Sequence, residues 1–157
     1  MKILLLVVGK TSDSYLSEGI ANYVKRLKHY IGFKIEEIPD IKNRKSLSKS
    51  EQKKHEAKHI FARLNSGDRI ILLDEKGKDF DSLGFSNHIQ KQMNAGIKRL
   101  VFVVGGAFGF DDSIHANCQG KISFSKMTFS HQMIRLFVVE QIYRSMTLMK
   151  NEPYHHE

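Results

Sequence analysis

An apolar run followed at once by a cluster of glycines decides the fold of this chain. The run begins at Leu100 and ends at Phe110, and it reads L-V-F-V-V-G-G-A-F-G-F. A short apolar run is typical of a buried strand, and glycines directly after it let a ligand come close to the backbone. The stretch therefore predicts a strand that ends in a ligand-binding loop.

Apolar runs alternate with helical patterns along the whole chain, which is typical of strands joined by crossover helices. We predict an α/β fold with a mainly parallel sheet and flanking helices. The length of 157 residues suits one domain, so we assign residues 1–157 to a single domain. The predicted strands are Ile3 to Val8, Phe33 to Ile38, Arg69 to Leu73, Leu100 to Val104 and Lys121 to Ser123. The predicted helices are Asp13 to Tyr30, Ser48 to about Leu64, Ser82 to Asn94, Asp111 to Cys118 and His131 to about Lys150.

The composition narrows the partners and the compartment. Lys and Arg number 25 against 17 Asp and Glu, a net charge of +8 that favours polyanions such as nucleic acid. Cys118 is the only cysteine, which excludes a disulfide framework and a cysteine metal cluster and fits a reducing compartment. The first apolar run is too short for a signal peptide or a membrane span. We therefore expect a cytoplasmic protein with no membrane partner.

The glycine loop lies where open parallel sheets bind ligands, at the carboxyl end of a strand, and Leu73 occupies the same place on the third strand. A dinucleotide site needs the spacing G-x-G-x-x-G, whereas this loop has G-G-x-x-G. The next helix begins with Asp111 and Asp112, whose carboxylates would repel a phosphate. A ligand without a phosphate group fits better. The alternative is that the glycines only form a tight turn.

His55, Glu56 and His59 match the H-E-x-x-H pattern of zinc hydrolases. In such enzymes two histidines one helical turn apart hold the metal, and the glutamate activates water. The surrounding lysines and the scarcity of apolar anchors favour a solvated helix face instead. We expect no metal, and a zinc hydrolase remains only a remote alternative.

Seven basic residues cluster between Lys42 and Lys58, against the two acidic residues Glu51 and Glu56. Such a run contacts phosphates well and is also typical of an exposed helix. It favours a nucleic-acid partner without specifying one. A non-catalytic, basic RNA-binding module is therefore the main alternative to an enzyme, although it leaves the glycine crevice unused.

The last predicted helix is apolar nearly all round in its first half, which indicates that a second partner covers part of it. A homodimer interface is the economical explanation. Charged side chains inside this helix should be paired or functional, because an unpaired buried charge is costly; they are His131, Arg135, Glu140 and Arg144. A titratable tail follows, from Tyr154 to Glu157.

These motifs together resemble a known family. M-K-I-L-L-L-V-V-G-K, L-D-E-K-G-K, F-V-V-G-G-A-F-G-F, S-F-S-K-M-T-F-S-H-Q-M-I-R, E-Q-I-Y-R-S-M and N-E-P-Y-H-H-E follow one another in that order. Over essentially the full length, the chain is similar to the bacterial RlmH group of the SPOUT methyltransferase superfamily. The resemblance implies S-adenosylmethionine-dependent methylation of N3 of a pseudouridine in large-subunit (23S) ribosomal RNA, either free or within an assembled ribosome.

The resemblance also implies a C-terminal trefoil knot, a homodimer and a set of site residues. S-adenosylmethionine would be bound largely through backbone groups, by Leu73, Gly105, Phe124, Ser125, Lys126, Met127, Thr128 and Phe129. The tail would reach an active site formed with the partner subunit. His155 is the candidate base for the N3 proton, with Tyr154 and Arg144 orienting the base or a phosphate.

One position departs from the family pattern. A basic Arg or Lys commonly follows the tail histidine, whereas this chain has His156. A permanent charge is thereby replaced by a titratable one. We expect activity to be more sensitive to raised pH than in arginine-bearing relatives, and an unchanged pH profile in a His156→Arg variant would contradict this.

Overall fold

The computed structural model describes residues 1–41 and 43–154, and these form one five-stranded parallel sheet between two layers of helices. The strands lie in the order β2-β1-β4-β3-β5. Their bounds are β1 Lys2–Val8, β2 Gly32–Ile38, β3 Arg69–Asp79, β4 Arg99–Val104 and β5 Gly120–Ser123. The predicted α/β class with a mainly parallel sheet is confirmed.

In the described residues, four α-helices join these strands and a fifth follows β5: α1 Ser14–Leu27, α2 Lys49–Phe61, α3 Ser82–Asn94, α4 Asp112–Asn117 and α5 Met133–Met149. Strand β1, which lies between β2 and β4, is buried along six of its seven residues, so alternate side chains supply two separate cores. Ile3, Leu5 and Val7 belong to the core that includes residues of α1, α3 and α5. Leu4 and Leu6 belong to the core that includes residues of α2 and α4.

The starts of two connecting helices follow from local hydrogen bonds. Ser48 accepts from the backbone N–H of Glu51, whose carboxylate accepts from the backbone N–H of Ser48, so the predicted capping box is present at α2. Asp81 caps α3 by accepting from the backbone N–H of Gly84 at 2.6 Å.

Strand β3 differs from its prediction, because it continues past Leu73 to Asp79. Its first part pairs with both β4 and β5, and after a register shift Lys78 and Asp79 pair with β5. The two backbones lie so close that a Cβ on Gly77 would be 2.5 Å from backbone atoms of Ile122. The polar sequence D-E-K-G-K masked this second part, since it lacks the apolar pattern of a buried strand.

Helix α5 packs against both α1 and α3 on one face of the sheet. Phe137 of α5 and Phe129 of the preceding loop form a ring pair 4.9 Å apart and both remain exposed. The trefoil knot and the homodimer stay predictions. No helix in the described part of the chain is both long and apolar enough to span a membrane.

Candidate active site

A cavity of about 800 Å³ lies at the carboxyl ends of β4 and β5 and beside residues 73–76 of β3, where β3 stops pairing with β4. This is the position at which open parallel sheets bind ligands, and the volume is in the range of small-molecule sites. The glycine loop after β4 lines it, and so does the loop between β5 and α5. The glycine loop predicted from the sequence therefore borders a real crevice.

Seven of the eight residues predicted to hold the cofactor line this cavity, namely Leu73, Gly105, Phe124, Ser125, Met127, Thr128 and Phe129. Lys126 is not among the lining residues. Three separate segments supply the seven, and the parallel arrangement of β3, β4 and β5 brings their carboxyl ends together. Their contact with a cofactor stays a prediction.

The glycine loop makes a tight turn at the edge of the cavity. The backbone N–H of Gly109 donates to the carbonyl of Gly106 at 3.1 Å, and Gly109 has a φ of +73°, which favours glycine. Ala107 and Phe108 form the tip of this turn. The turn and the ligand-binding interpretation are thus compatible, because the turn itself lines the cavity.

Glu56 supports this loop from α2, a role that the sequence analysis missed. Its side chain is buried, and its carboxylate accepts a hydrogen bond from the backbone N–H of Gly106. A Cβ on Gly106 would lie 2.6 Å and 2.8 Å from the two carboxylate oxygens, so a side chain there would have to displace the Glu56 carboxylate. Burial raises the pKa of Glu56 above its usual value. The four-residue spacing of Gln52, Glu56 and Ile60, which marks one helix face, was the available signal.

The same observation argues against a zinc hydrolase, because Glu56 lies against the glycine loop and not beside the two histidines. His55 and His59 are exposed on α2, whereas Glu56 points inward to the glycine loop. Within residues 1–41 and 43–154, no group of three histidine, cysteine or acidic side chains could hold a metal ion.

Arg135 of α5 is fully buried and holds the end of β1 to the start of α5. Its guanidinium donates to the carbonyls of Val8 at 2.6 Å, Gly9 at 3.0 Å and His131 at 2.9 Å. A fourth bond reaches the hydroxyl of Thr11 at 3.0 Å. The expectation that this charge is paired or functional is met by neutral acceptors instead of a carboxylate. Burial lowers the pKa of Arg135, although a guanidinium stays charged at neutral pH.

The polar groups of the cavity wall include Asp74, His115 and His131. The carboxylate of Asp74 lies 4.0 Å from Nε2 of His115 and accepts from the backbone N–H of Lys76 at 2.8 Å. Burial, together with the charge of Arg135, lowers the pKa of His131, which favours its neutral form at pH 7. These groups offer hydrogen bonds to a polar ligand.

Arg144 and Tyr154 lie together, but not at this cavity. Arg144 pairs with Glu140 at 2.6 Å, its Cζ lies 4.7 Å from the centre of the Tyr154 ring, and the Tyr154 hydroxyl donates to Glu140 at 3.1 Å. The Tyr23 hydroxyl lies 3.2 Å from that of Tyr154. Burial, the hydrogen bond with Tyr23 and the negative charge of Glu140 raise the pKa of Tyr154, so Tyr154 stays a neutral phenol at pH 7.

Neither residue lines the cavity of its own chain. Arg144 lies ten residues beyond Ile134, a lining residue, which corresponds to about 15 Å along a helix. The third predicted catalytic residue, His155, lies outside the described residues, as does His156.

With this geometry in place, comparison with known proteins identifies the family. A family model described as predicted SPOUT methyltransferase matches residues 1–155. The chain belongs to the SPOUT methyltransferase family. The resemblance seen in the sequence motifs is thereby confirmed.

Relatives within this SPOUT family match the chain from end to end. The ribosomal RNA large subunit methyltransferase H of Flavobacterium johnsoniae is 54% identical over 157 residues, with 100% of both chains covered. The protein of the same name from Parabacteroides distasonis is 56% identical over the same span, again with 100% of both chains covered.

A solved structure supports the SPOUT fold independently of sequence. A probable methylase family protein from Haemophilus influenzae Rd KW20 superposes with a TM-score of 0.51 at 10% identity. The match covers 99% of this chain and 70% of that chain.

Proposed function

We propose that this protein transfers a methyl group from S-adenosylmethionine to N3 of a pseudouridine in large-subunit ribosomal RNA, as one domain spanning residues 1–157. The main support is the cavity that the glycine loop lines. The chain also matches ribosomal RNA methyltransferases over their full length. The ribosome or its RNA is the partner. The cytoplasm is the proposed location.

The residues at the cavity fit S-adenosylmethionine, which has no phosphate group. Asp111 caps α4 with its own carboxylate by accepting from the backbone N–H of Ser113 at 3.0 Å. The helix start nearest the glycine loop therefore repels a phosphate. Asp74 and Glu75 bring two carboxylates to a wall that also holds Lys76 and Lys121. The wall therefore offers partners for both the ammonium and the carboxylate of S-adenosylmethionine.

When bound, S-adenosylmethionine supplies an electrophilic methyl group on sulfur. Methyl transfer to nitrogen is an in-line displacement, so the chain contributes mainly the positioning of the nucleophile. His155 is the proposed acceptor of the N3 proton. Tyr154 would help to orient the base; its raised pKa keeps it a neutral phenol, whose proton is donated to Glu140. Arg144, held by Glu140, would orient the base or a phosphate.

We place the active site between two copies of this chain. The cluster of Arg144 and Tyr154 stands about three helical turns from the cavity of its own chain, so its own tail is poorly placed to complete that cavity. Exposed apolar side chains beside the cavity, Met127, Phe129 and Phe137, support a covered surface there. Each tail would complete the cavity of the other chain.

The first experiment is calorimetric titration of the full chain with S-adenosylmethionine, with NAD and zinc as parallel controls. Binding of the methyl donor alone should be followed by transfer of a labelled methyl group to ribosomes that lack this modification, and mass spectrometry should place it on N3 of a pseudouridine. RNA binding without cofactor affinity would instead support the non-catalytic module.

Mixed dimers test the shared active site. A Gly106→Val chain, whose side chain collides with Glu56, is co-expressed with a His155→Ala chain under separate affinity tags. Each homodimer should be inactive, while the heterodimer recovers one working site that combines the intact cavity with the intact tail. A heterodimer as inactive as both parents would show that each site is built from one chain.

A further inference from the structure

Phe108 lines the cavity and is also exposed to solvent. It lies at the tip of the glycine turn, lines the cavity and is 43% exposed. The ammonium of Lys49 lies 5.3 Å from the centre of its ring. The turn bond between Gly106 and Gly109 fixes the backbone on either side, so the ring is presented by a rigid support.

One lysine of α2 lies against this ring, and two more lie towards the end of the loop that carries it. Lys49 contacts the ring itself, and the charges of Lys53 and Lys54 act on Asp111 at the end of the loop, where they help to lower its pKa after the larger effect of Ser113. Among the ion pairs of residues 1–41 and 43–154, none includes these lysines. We call Phe108 with these three lysines the aromatic–lysine surface.

An exposed ring beside unpaired cations is the combination that binds single-stranded RNA, because a base stacks on the ring while lysines contact phosphates. An enzyme that acts on a base must receive that base in its cavity, out of any helical stack. The neighbouring nucleotide then lies at the cavity rim, where Phe108 is.

We propose that the aromatic–lysine surface binds the ribosomal RNA next to the target pseudouridine, with an unpaired flanking base stacked on Phe108 and phosphates on the three lysines. This inference rests on the proposed function, and it assigns to α2 the substrate-binding role that the basic run left unspecified. Lys98, which precedes β4 at the amino-terminal end of the sheet, lies outside this surface.

Steady-state methylation of unmodified ribosomes by the full-length protein tests the stacking contact. Phe108→Leu keeps an apolar side chain at the cavity and removes the aromatic face, whereas Phe108→Trp keeps a face. The leucine variant should lose roughly 5- to 100-fold in kcat/KM for ribosomes, as expected for one stacked base, and the tryptophan variant should recover most of it. In the leucine variant, the calorimetric affinity for S-adenosylmethionine should fall much less than kcat/KM for ribosomes, because Phe108 is only one of the residues that line the cavity.

Salt dependence tests the phosphate contacts. Binding of a short labelled single-stranded RNA is measured over a range of KCl concentrations for three proteins. They are the wild type, the triple variant Lys49→Ala/Lys53→Ala/Lys54→Ala, and the control Lys98→Ala. For the triple variant, the steepness of the plot of log binding constant against log KCl concentration should fall by about 2, because each lost phosphate contact removes about 0.7. The control should keep the slope of the wild type.

Three results would overturn the inference. The triple lysine variant could show the same salt dependence as Lys98→Ala. The Phe108→Leu variant could methylate ribosomes as well as the wild type. Alternatively, Phe108→Leu could lose cofactor binding as strongly as turnover, which would make Phe108 a cavity residue only. A wild-type protein that binds S-adenosylmethionine but never methylates ribosomes would refute the proposed function itself, which is a separate outcome.

Discussion

Replacement of Arg135 by methionine should be among the most damaging single changes in the molecule. Methionine preserves much of the buried apolar stem and removes every donor. The two acceptors that are most buried, the carbonyls of Val8 and Gly9, then lose their partner. A buried acceptor left unpaired costs about 1–3 kcal/mol, so two cost roughly 2–6 kcal/mol.

Relief of the burial cost of the guanidinium offsets part of this loss, because a buried charge has a desolvation penalty of several kcal/mol. We expect a net decrease in the free energy of unfolding of about 2–3 kcal/mol. At 2–4 °C per kcal/mol for a chain of this size, the midpoint of thermal unfolding should fall by roughly 4–12 °C.

Urea unfolding followed by circular dichroism, at one fixed protein concentration, measures the change. Arg135→Lys is the matched control, since one ammonium keeps the charge but not the planar fork of donors that reaches both β1 and the start of α5. Its free energy of unfolding should lie between those of the methionine variant and the wild type. The affinity for S-adenosylmethionine should also fall in the methionine variant, because the bond to the His131 carbonyl is lost at the cavity wall. A methionine variant that unfolds within about 0.5 kcal/mol of the wild type would refute this reasoning.

Three further changes have defined outcomes. Gly77→Ala should destabilise the chain by about 1–3 kcal/mol or more in urea unfolding, because the added Cβ meets the backbone of β5 and not a movable side chain; wild-type stability would show that the two strands can separate at no cost. Burial and nearby positive charges lower the pKa of His88, so the folded state binds fewer protons than the unfolded state below about pH 6.5. Stability should therefore fall from pH 7 to pH 5, and His88→Gln should flatten that fall while the exposed control His55→Gln leaves it in place; equal slopes in both variants would contradict this. Burial raises the pKa of Glu56, so the stability linked to it is present at low pH and is lost as pH rises through the raised pKa. Glu56→Gln, which keeps an acceptor for the Gly106 N–H, should be at least as stable as the wild type in urea at pH 7, whereas Glu56→Ala should lose about 1–3 kcal/mol and bind S-adenosylmethionine more weakly. A glutamine variant less stable than the wild type would show that the charge itself is required.

Local patterns were sufficient for most of the architecture and for much of the cavity. The buried strands β1 and β4 carry uninterrupted apolar runs, and Ser48 with Glu51 marks the start of α2, because periodicity and capping depend on residues close in sequence. The family motifs added the loop after β5, in which Lys126 alone of the predicted cofactor residues does not line the cavity.

Sequence by itself determined the α/β class, the glycine loop at a strand end and the family, since each is written in short contiguous motifs. Tertiary structure alone decided that Glu56 pins Gly106, that Arg135 joins β1 to α5, and that Lys49 lies against Phe108. These contacts join residues about 50 to 130 positions apart in the chain. Their side chains are polar or charged and their partners are mostly backbone groups, which any residue type supplies, so no pattern of residue types announces them.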